Sequence, residues 1–170
     1  QPWAPVGGGI VMGGGVFREA RLTPDTLRAA GAGTAVVLRH PEAPRPWQHV
    51  LDCLSGYLVY LEALASGREV PPSLNIGPDS TLGETSVGEA ADVMTRLLGG
   101  QAWVHEPVPG SIEALALGID PSAAARSLGW TSRLQGRPAL DWTGQWYADW
   151  RGGADPRDLA LAQIARFEAL

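Results

Sequence analysis

The sequence predicts a mixed α/β (α+β) domain, and three observations predict it. Apolar residues recur every three or four positions in several stretches, as they do in helices with one buried face. Short β-branched runs lie between those stretches. Helix caps and Gly or Pro stops then separate the two kinds of segment at close intervals. The chain has 170 residues, 45% hydrophobic and 18% charged. That length and composition suit a globular domain with a real core, and residues 1–170 read as a single one.

The elements follow in order. Gly7–Gly9 and Gly13–Gly15 flank Ile10, Val11 and Met12, which predicts a short buried strand between tight turns. Leu22 to Ala30 has helical spacing, and Ala35 to Leu38 (AVVL) reads as a buried strand. The three prolines in HPEAPRP, residues 40–46, predict a loop. Leu54, Tyr57, Leu58, Leu61 and Leu64 form one face of a long amphipathic helix. Leu74 to Ile76 is a strand candidate stopped by Gly77-Pro78. Ser86 and Glu89 have the spacing of a capping box, with Val87, Ala90, Val93, Met94 and Leu97 behind them and Gly99-Gly100 as the stop. Ala102 to His105 is a further short strand. Asp120-Pro121 predicts an N-cap with proline at the first helical position, and Gly129 the end of that helix. A helix from about Arg137 to Trp150 presents Leu140, Trp146, Tyr147 and Trp150. Asp155-Pro156 repeats the cap signal and opens a terminal helix over about 156–170.

Composition narrows the function classes. A formal net charge of -5, from 13 basic and 18 acidic residues, argues against nucleic acid or an anionic membrane as the main partner. No apolar run approaches the roughly 20 residues that span a bilayer. No signal peptide opens the chain, so a cytoplasmic location is expected. Cys53 is the sole cysteine, in apolar surroundings that suit a small core residue.

The glycine triplets do not form a nucleotide loop. On Gly7–Gly15 the third glycine of G-x-G-x-x-G would fall on Met12 or Arg18. His40, His49 and His105 lack metal-ligand spacing. His105-Glu106 reads as an exposed strand end rather than an acid/base pair. The chemically dense segment is Arg45-Pro46-Trp47-Gln48-His49. There an arginine could grip a diphosphate bidentately and the rings could stack on a base or sugar; alternatively Trp47 plugs the core while Arg45 and His49 fasten the loop. The seven tryptophans read chiefly as core or interface.

RLTPD (21–25), LRHPEAPRPWQHVLDCLSGYLVYLEAL (38–64), LNIGPDS (74–80), LGW (128–130), ALDWTGQWY (139–147) and DPRDLALAQIARFEAL (155–170) together resemble the CDP-glucose 4,6-dehydratase family. That family lies within the extended short-chain dehydrogenase/reductases. The resemblance covers about Gly9 to the last residue. It implies a small C-terminal sugar-nucleotide-binding domain without the N-terminal Rossmann domain. NAD is implied for a complete protein, with no cofactor held by this chain alone and no catalysis by it alone. The resemblance also implies that Arg21, Leu22, Pro24 and Asp25 border a CDP-hexose, that Arg45 meets its diphosphate, and that Trp47, Gln48 and His49 line or support the pocket.

The chain departs from the family's pattern at Ile10, where asparagine is usual, and at Val16-Phe17, where Asp-Trp is usual. It also departs at Ile112, where histidine is usual, and at Gly118, where lysine is usual. These replacements motivate a second reading, a stand-alone ligand-binding or assembly protein with an apolar pocket. A third is a small enzyme of new chemistry using His49 or Glu113. A surface that would have met the Rossmann half predicts self-association or a partner subunit.

Overall fold

The structure, a computed structural model, describes residues 4–79, 81, 84–107 and 117–170. Ile112 and Glu113 lie outside the described residues. The first strand segment, β1 (Val6–Gly8), is followed after Gly9 by β2 (Ile10–Met12). Helix α1 (Leu22–Ala32) ends at Gly33 in the left-handed conformation. Then come β3 (Val37–Leu38), β4 (Pro44–Arg45), β5 (Trp47–His49) and the long helix α2 (Val50–Ala65). The second half holds β6 (Leu74–Ile76), β7 (Thr85–Ser86), α3 (Val87–Leu98), β8 (Val104–His105), α4 (Ser122–Leu128), α5 (Gly136–Arg151) and α6 (Pro156–Glu168).

The strands associate in pairs. β1 runs parallel to β6 and β2 runs parallel to β5, so one extended segment changes partner within a few residues. The change occurs at Gly9, where an added Cβ would lie 2.6 Å from the Pro46 carbonyl oxygen and 2.9 Å from Pro78 Cδ. Just beyond it, the Ile10 N–H donates to the Pro46 carbonyl at 2.7 Å. β3 pairs in parallel with β8, and β4 pairs antiparallel with β7.

The main core lies where α3 packs against α1 and α5. Leu27, Ala90, Val93, Met94, Leu98, Leu140, Trp146 and Tyr147 meet Met12 and Trp47 there. A second core under α2 and α4 contains Tyr60, Leu74, Ile76, Leu128 and Trp130. Several local signals hold as read. Ser86 and Glu89 form a reciprocal capping box, and Gly99 and Gly129 close their helices with positive φ. Asp155 caps α6 with Pro156 behind it.

Three expectations are corrected. HPEAPRP is not all loop, because Pro44–Arg45 pairs with Thr85–Ser86. A two-residue edge pair tolerates a proline without a donor, and the Val87 N–H reaches the Ala43 carbonyl beside it at 3.0 Å. At α4 the N-cap is Pro121 rather than Asp120, although the Asp120 carboxylate still accepts from the Ser122 N–H at 2.9 Å.

The leucine face of α2 points outward. Leu58 is 66% and Leu61 60% exposed, with Leu54 and Leu64 beside them. The helix buries the opposite face, Asp52, Cys53, Gly56, Tyr60 and Ala63. Small residues decide which face goes in, since an added Cβ at Gly56 would sit 2.2 Å from Ile76 Cγ2 and 3.0 Å from Trp130 Cε2. Only a face without bulk at position 56 can approach the strand so closely.

Gly56→Ala therefore reverses the usual effect of removing a helical glycine. Alanine favours helix by roughly 0.5–1 kcal/mol, but overpacking costs about 1–3 kcal/mol. Urea denaturation should show Gly56→Ala destabilised, whereas Gly31→Ala in α1, with nothing within 4 Å of the new Cβ, should be neutral or stabilised.

Candidate functional site

Two cavities open on either side of the first turn of α1, and Leu22 lines both. α1 starts at this point because Arg21 is extended, and no side chain caps the helix. The Thr26 hydroxyl donates to the Leu22 carbonyl at 2.8 Å and ties that first turn together.

The first cavity, about 420 Å³, has an aliphatic wall of Val36, Leu38 and Val87 from β3 and the start of α3. Arg39, His40 and Arg45 supply its donors, and Asp25 and Glu106 its carboxylates. The Arg45 side chain is held by burial, at 9% exposed, and its Nη1 donates to the Pro44 carbonyl at 2.9 Å. His40 Nε2 is buried without a hydrogen-bond partner among the described residues. The Asp25 carboxylate pairs with the Arg28 guanidinium, and Arg28 Nη1 also donates to the Phe17 carbonyl at 3.1 Å. Cations over an apolar wall suit an anion carrying a flat or partly apolar group.

The second cavity, about 400 Å³, is walled by Ile10, Met12, Val16, Pro24 and Trp47, with Arg18 and Arg21 as its charged residues. Its loop is fastened to α5. The Tyr147 hydroxyl accepts from the Val16 N–H at 2.8 Å and donates to the Val16 carbonyl at 2.6 Å. Burial pushes the Tyr147 phenol above its ordinary range. An added Cβ at Gly14 would lie 2.1 Å from Trp146 Cδ2. Phe17 meets the Tyr147 ring edge-on, with centroids 5.9 Å apart.

The predicted site residues divide between these cavities and the interior. Leu22, Asp25 and Arg45 line the first cavity, and Arg21, Leu22, Pro24 and Trp47 the second. Trp47 is also core: it is 5% exposed and its Nε1–H donates to the Thr85 carbonyl at 2.8 Å. Gln48 and His49 are fully buried and line neither cavity. The Gln48 carbonyl Oε1 accepts from the Gly9 N–H at 3.2 Å, which steadies the point where the first strand changes partner. His49 Nδ1 accepts from the Leu51 N–H at 3.3 Å and so caps α2. Its ring packs edge-on against Trp142.

Sequence reasoning missed Val36, Leu38, Arg39 and Arg18. The first two carried a readable signal, for Leu38 is buried and Val37 exposed. Arg39 and Arg18 carried none, because their place depends on distant elements. His105 and Glu106 are exposed, and His105 Nε2 lies 3.2 Å from the Arg39 carbonyl. Among the described residues no group of three or more His, Cys, Asp or Glu side chains could hold a metal ion.

Cys53 is 3% exposed, and burial pushes its thiol up, away from the reactive thiolate. A hydrogen bond with Cys53 pushes the Tyr57 phenol up to about 12. No helix of the described residues is long and apolar enough to cross a membrane.

No family model matches the chain. It is 36% identical over 154 residues to CDP-glucose 4,6-dehydratase of Salmonella typhimurium strain LT2, a match that takes in 89% of this chain and 43% of that protein. The chain thus spans less than half the length of that relative, in its C-terminal part. Among solved structures it resembles the dTDP-glucose 4,6-dehydratase of Bacillus anthracis in complex with NAD. That likeness has a TM-score of 0.68 at 22% identity, over 85% of this chain and 44% of the other. It also resembles WbmG of Bordetella bronchiseptica in complex with NAD and UDP, with a TM-score of 0.66 at 21% identity over 89% and 46%. A third is the UDP-glucose 4-epimerase of Thermotoga maritima with UDP-glucose, TM-score 0.67 at 20% identity over 85% and 45%. The similarity to CDP-glucose 4,6-dehydratases drawn from the sequence is thereby borne out, and the fold is that of the C-terminal part of extended short-chain dehydrogenase/reductases.

The His49 imidazole gives this region an acid limit. Burial lowers its pKa from 6.5 to about 4, with the Gln163 side chain opposing the shift. The unfolded chain therefore takes up a proton between pH 6.5 and 4 that the folded chain refuses. Stability contributed by neutral His49 is complete above pH 6.5 and lost as pH falls towards 4, by about 3 kcal/mol. His49→Asn keeps a cap acceptor without the titration. Urea midpoints at pH 7 and pH 4.5 should show a smaller acid loss in His49→Asn than in the native chain.

Proposed function

We propose that this chain is one substrate-domain unit of a CDP-glucose 4,6-dehydratase-like protein and that it binds the nucleoside diphosphate of a sugar nucleotide, a CDP-hexose. The observation that carries the reading is the Arg45 guanidinium, buried yet opening on a cavity that Leu22 and Asp25 border from the next element. In this reading Arg45 and Arg39 neutralise the diphosphate, while the Val36–Leu38 strand and Leu22 offer an apolar flank to the base. A bidentate arginine–phosphate pair is among the stronger hydrogen-bonded contacts, worth about 1.5–3 kcal/mol. Gln48 and His49 act beneath the site as positioning residues, holding β2 and α2 in place. The same reading places the protein in the cytoplasm.

The residues present do not fit NAD. The glycine triplets are filled by close packing, Gly9 under Pro46 and Pro78, Gly13 against Val50 and Gly14 against Trp146, so their backbones cannot cradle a pyrophosphate. The chain contains no lysine, and so no Y-x-x-x-K motif. Its own residues bind and orient; we assign them no step of oxidation or elimination.

The outward leucines of α2 belong to the same reading. Parallel strands such as β1 and β6 are characteristically covered on both faces. A row of four exposed leucines on the helix between the pairs supports an interface with a second copy or a partner subunit. Leu58→Glu with Leu61→Glu should abolish association and leave the melting temperature nearly unchanged, because neither side chain is buried. Native chain that sediments as a monomer at high concentration, and is unaltered by the double substitution, counts against self-association.

Calorimetric titration with CDP and CDP-glucose tests the binding reading. Saturable CDP binding is expected, weakened tenfold or more in Arg45→Lys, which keeps the charge but loses the fork. A thermal melt of the same variant checks that it is folded. No heat from CDP at millimolar concentration overturns the reading.

A further inference from the structure

The second cavity differs in chemistry from the nucleotide site proposed above. Ile10, Met12, Val16, Pro24 and Trp47 make its walls almost wholly apolar, and at about 400 Å³ it falls within the range of small-molecule pockets. Its charged residues, Arg18 and Arg21, are both exposed and both make no hydrogen bond or ion pair among the described residues. Other arginines on the surface are engaged: Arg28 with Asp25, Arg137 with Asp141, and Arg68 with the Ser127 carbonyl. Arg18 and Arg21 are thus two uncommitted guanidinium groups lining an apolar hollow.

The hollow is preformed. Tyr147 clamps Val16 through both its N–H and its carbonyl, and Gly14 lies flat against Trp146. Val16 stays 45% exposed although the turn beneath it is fixed. A rigid turn that holds a valine out over a cavity leaves apolar surface for a ligand to cover, without paying for a rearrangement.

We propose that this cavity binds an amphipathic anion, a carboxylate or phosphate head on an aliphatic or aromatic body. The head lies between Arg18 and Arg21, and the body runs along Ile10, Met12 and Trp47. A nucleotide suits these walls poorly, since the hydroxyls and ring nitrogens of its sugar and base would find no partners on them. The site therefore stands beside the nucleotide cavity and independent of it.

The test is calorimetric titration of the full chain with hexanoate, octanoate, decanoate and octanol. Affinity should rise about fourfold per added methylene until the cavity is filled. Octanoate should bind at least tenfold more tightly than octanol. The double variant Arg18→Ala, Arg21→Ala should lose that preference while binding octanol unchanged, and Val16→Asp should weaken both ligands. Saturating CDP should leave octanoate binding in place. No saturable octanoate binding, equal affinity for octanoate and octanol, or an arginine double variant that binds octanoate like the native chain each overturns the proposal. Displacement of octanoate by CDP also overturns it, because the two cavities would then be one site. CDP titration of Arg45→Lys, which alters neither Arg18 nor Arg21, reports separately on the nucleotide reading.

Discussion

The arrangement depends on how closely the first strand segment passes the Pro46 carbonyl at Gly9. Val6–Gly8 pairs with Leu74–Ile76, and Ile10–Met12 pairs with Trp47–His49. For one segment to serve both, the backbone between them must slip beneath Pro46 and Pro78, where there is no room for a side chain. That passage joins the two cores. β1 and β6 belong to the core under α2 and α4, while β2 and β5 border the core of α1, α3 and α5. Gln48 reinforces it from below by accepting the Gly9 N–H.

A band of buried polar groups continues from that point. Gln48 bridges to Gln135, and the His49 N–H donates to the Leu134 carbonyl at 3.2 Å. Asp52, fully buried, accepts from the Ser132 hydroxyl and from the Arg133 N–H at 2.9 Å. These bonds hold the segment before α5 against the start of α2. Buried donors and acceptors are costly when unpaired, so the band limits how these elements can be arranged relative to one another. The RPWQHV segment consequently serves two ends. Its outer residues, Arg45 and Trp47, reach the cavities, and its inner ones, Gln48 and His49, secure the strand and helix that shape them.

Much of the fold was legible because its signals are local. The Ser86–Glu89 box, the glycine stops at 99 and 129 and the Asp155-Pro156 start each depend on residues within one helical turn. The Pro44–Arg45 strand was not legible, since its pairing is supplied by Thr85–Ser86, far along the chain. The outward leucines of α2 were legible as a face but not in direction. Gly56, Cys53 and Ala63 chose the buried side by letting Ile76 and Trp130 approach. At the site, Arg45 and the RLTPD turn could be singled out beforehand, whereas Arg18 and Arg39 gained their positions only from tertiary neighbours. Glu113 and Ile112 fall outside the described residues and take no part in this picture.

The pairing of the first strand also bears on the order in which the chain can fold. Val6 meets Leu74 and Ile10 meets Trp47, so the segment nearest the amino end depends on residues made long after it. Contacts of such sequence separation carry a loop-closure cost before they bring any reward, and they slow folding. During synthesis β1 and β2 therefore stay unpaired until β5, α2 and β6 have left the ribosome. For that interval two glycine triplets and an apolar tripeptide remain exposed, and the sparse side chains of Gly7–Gly15 give a neighbouring chain little to grip.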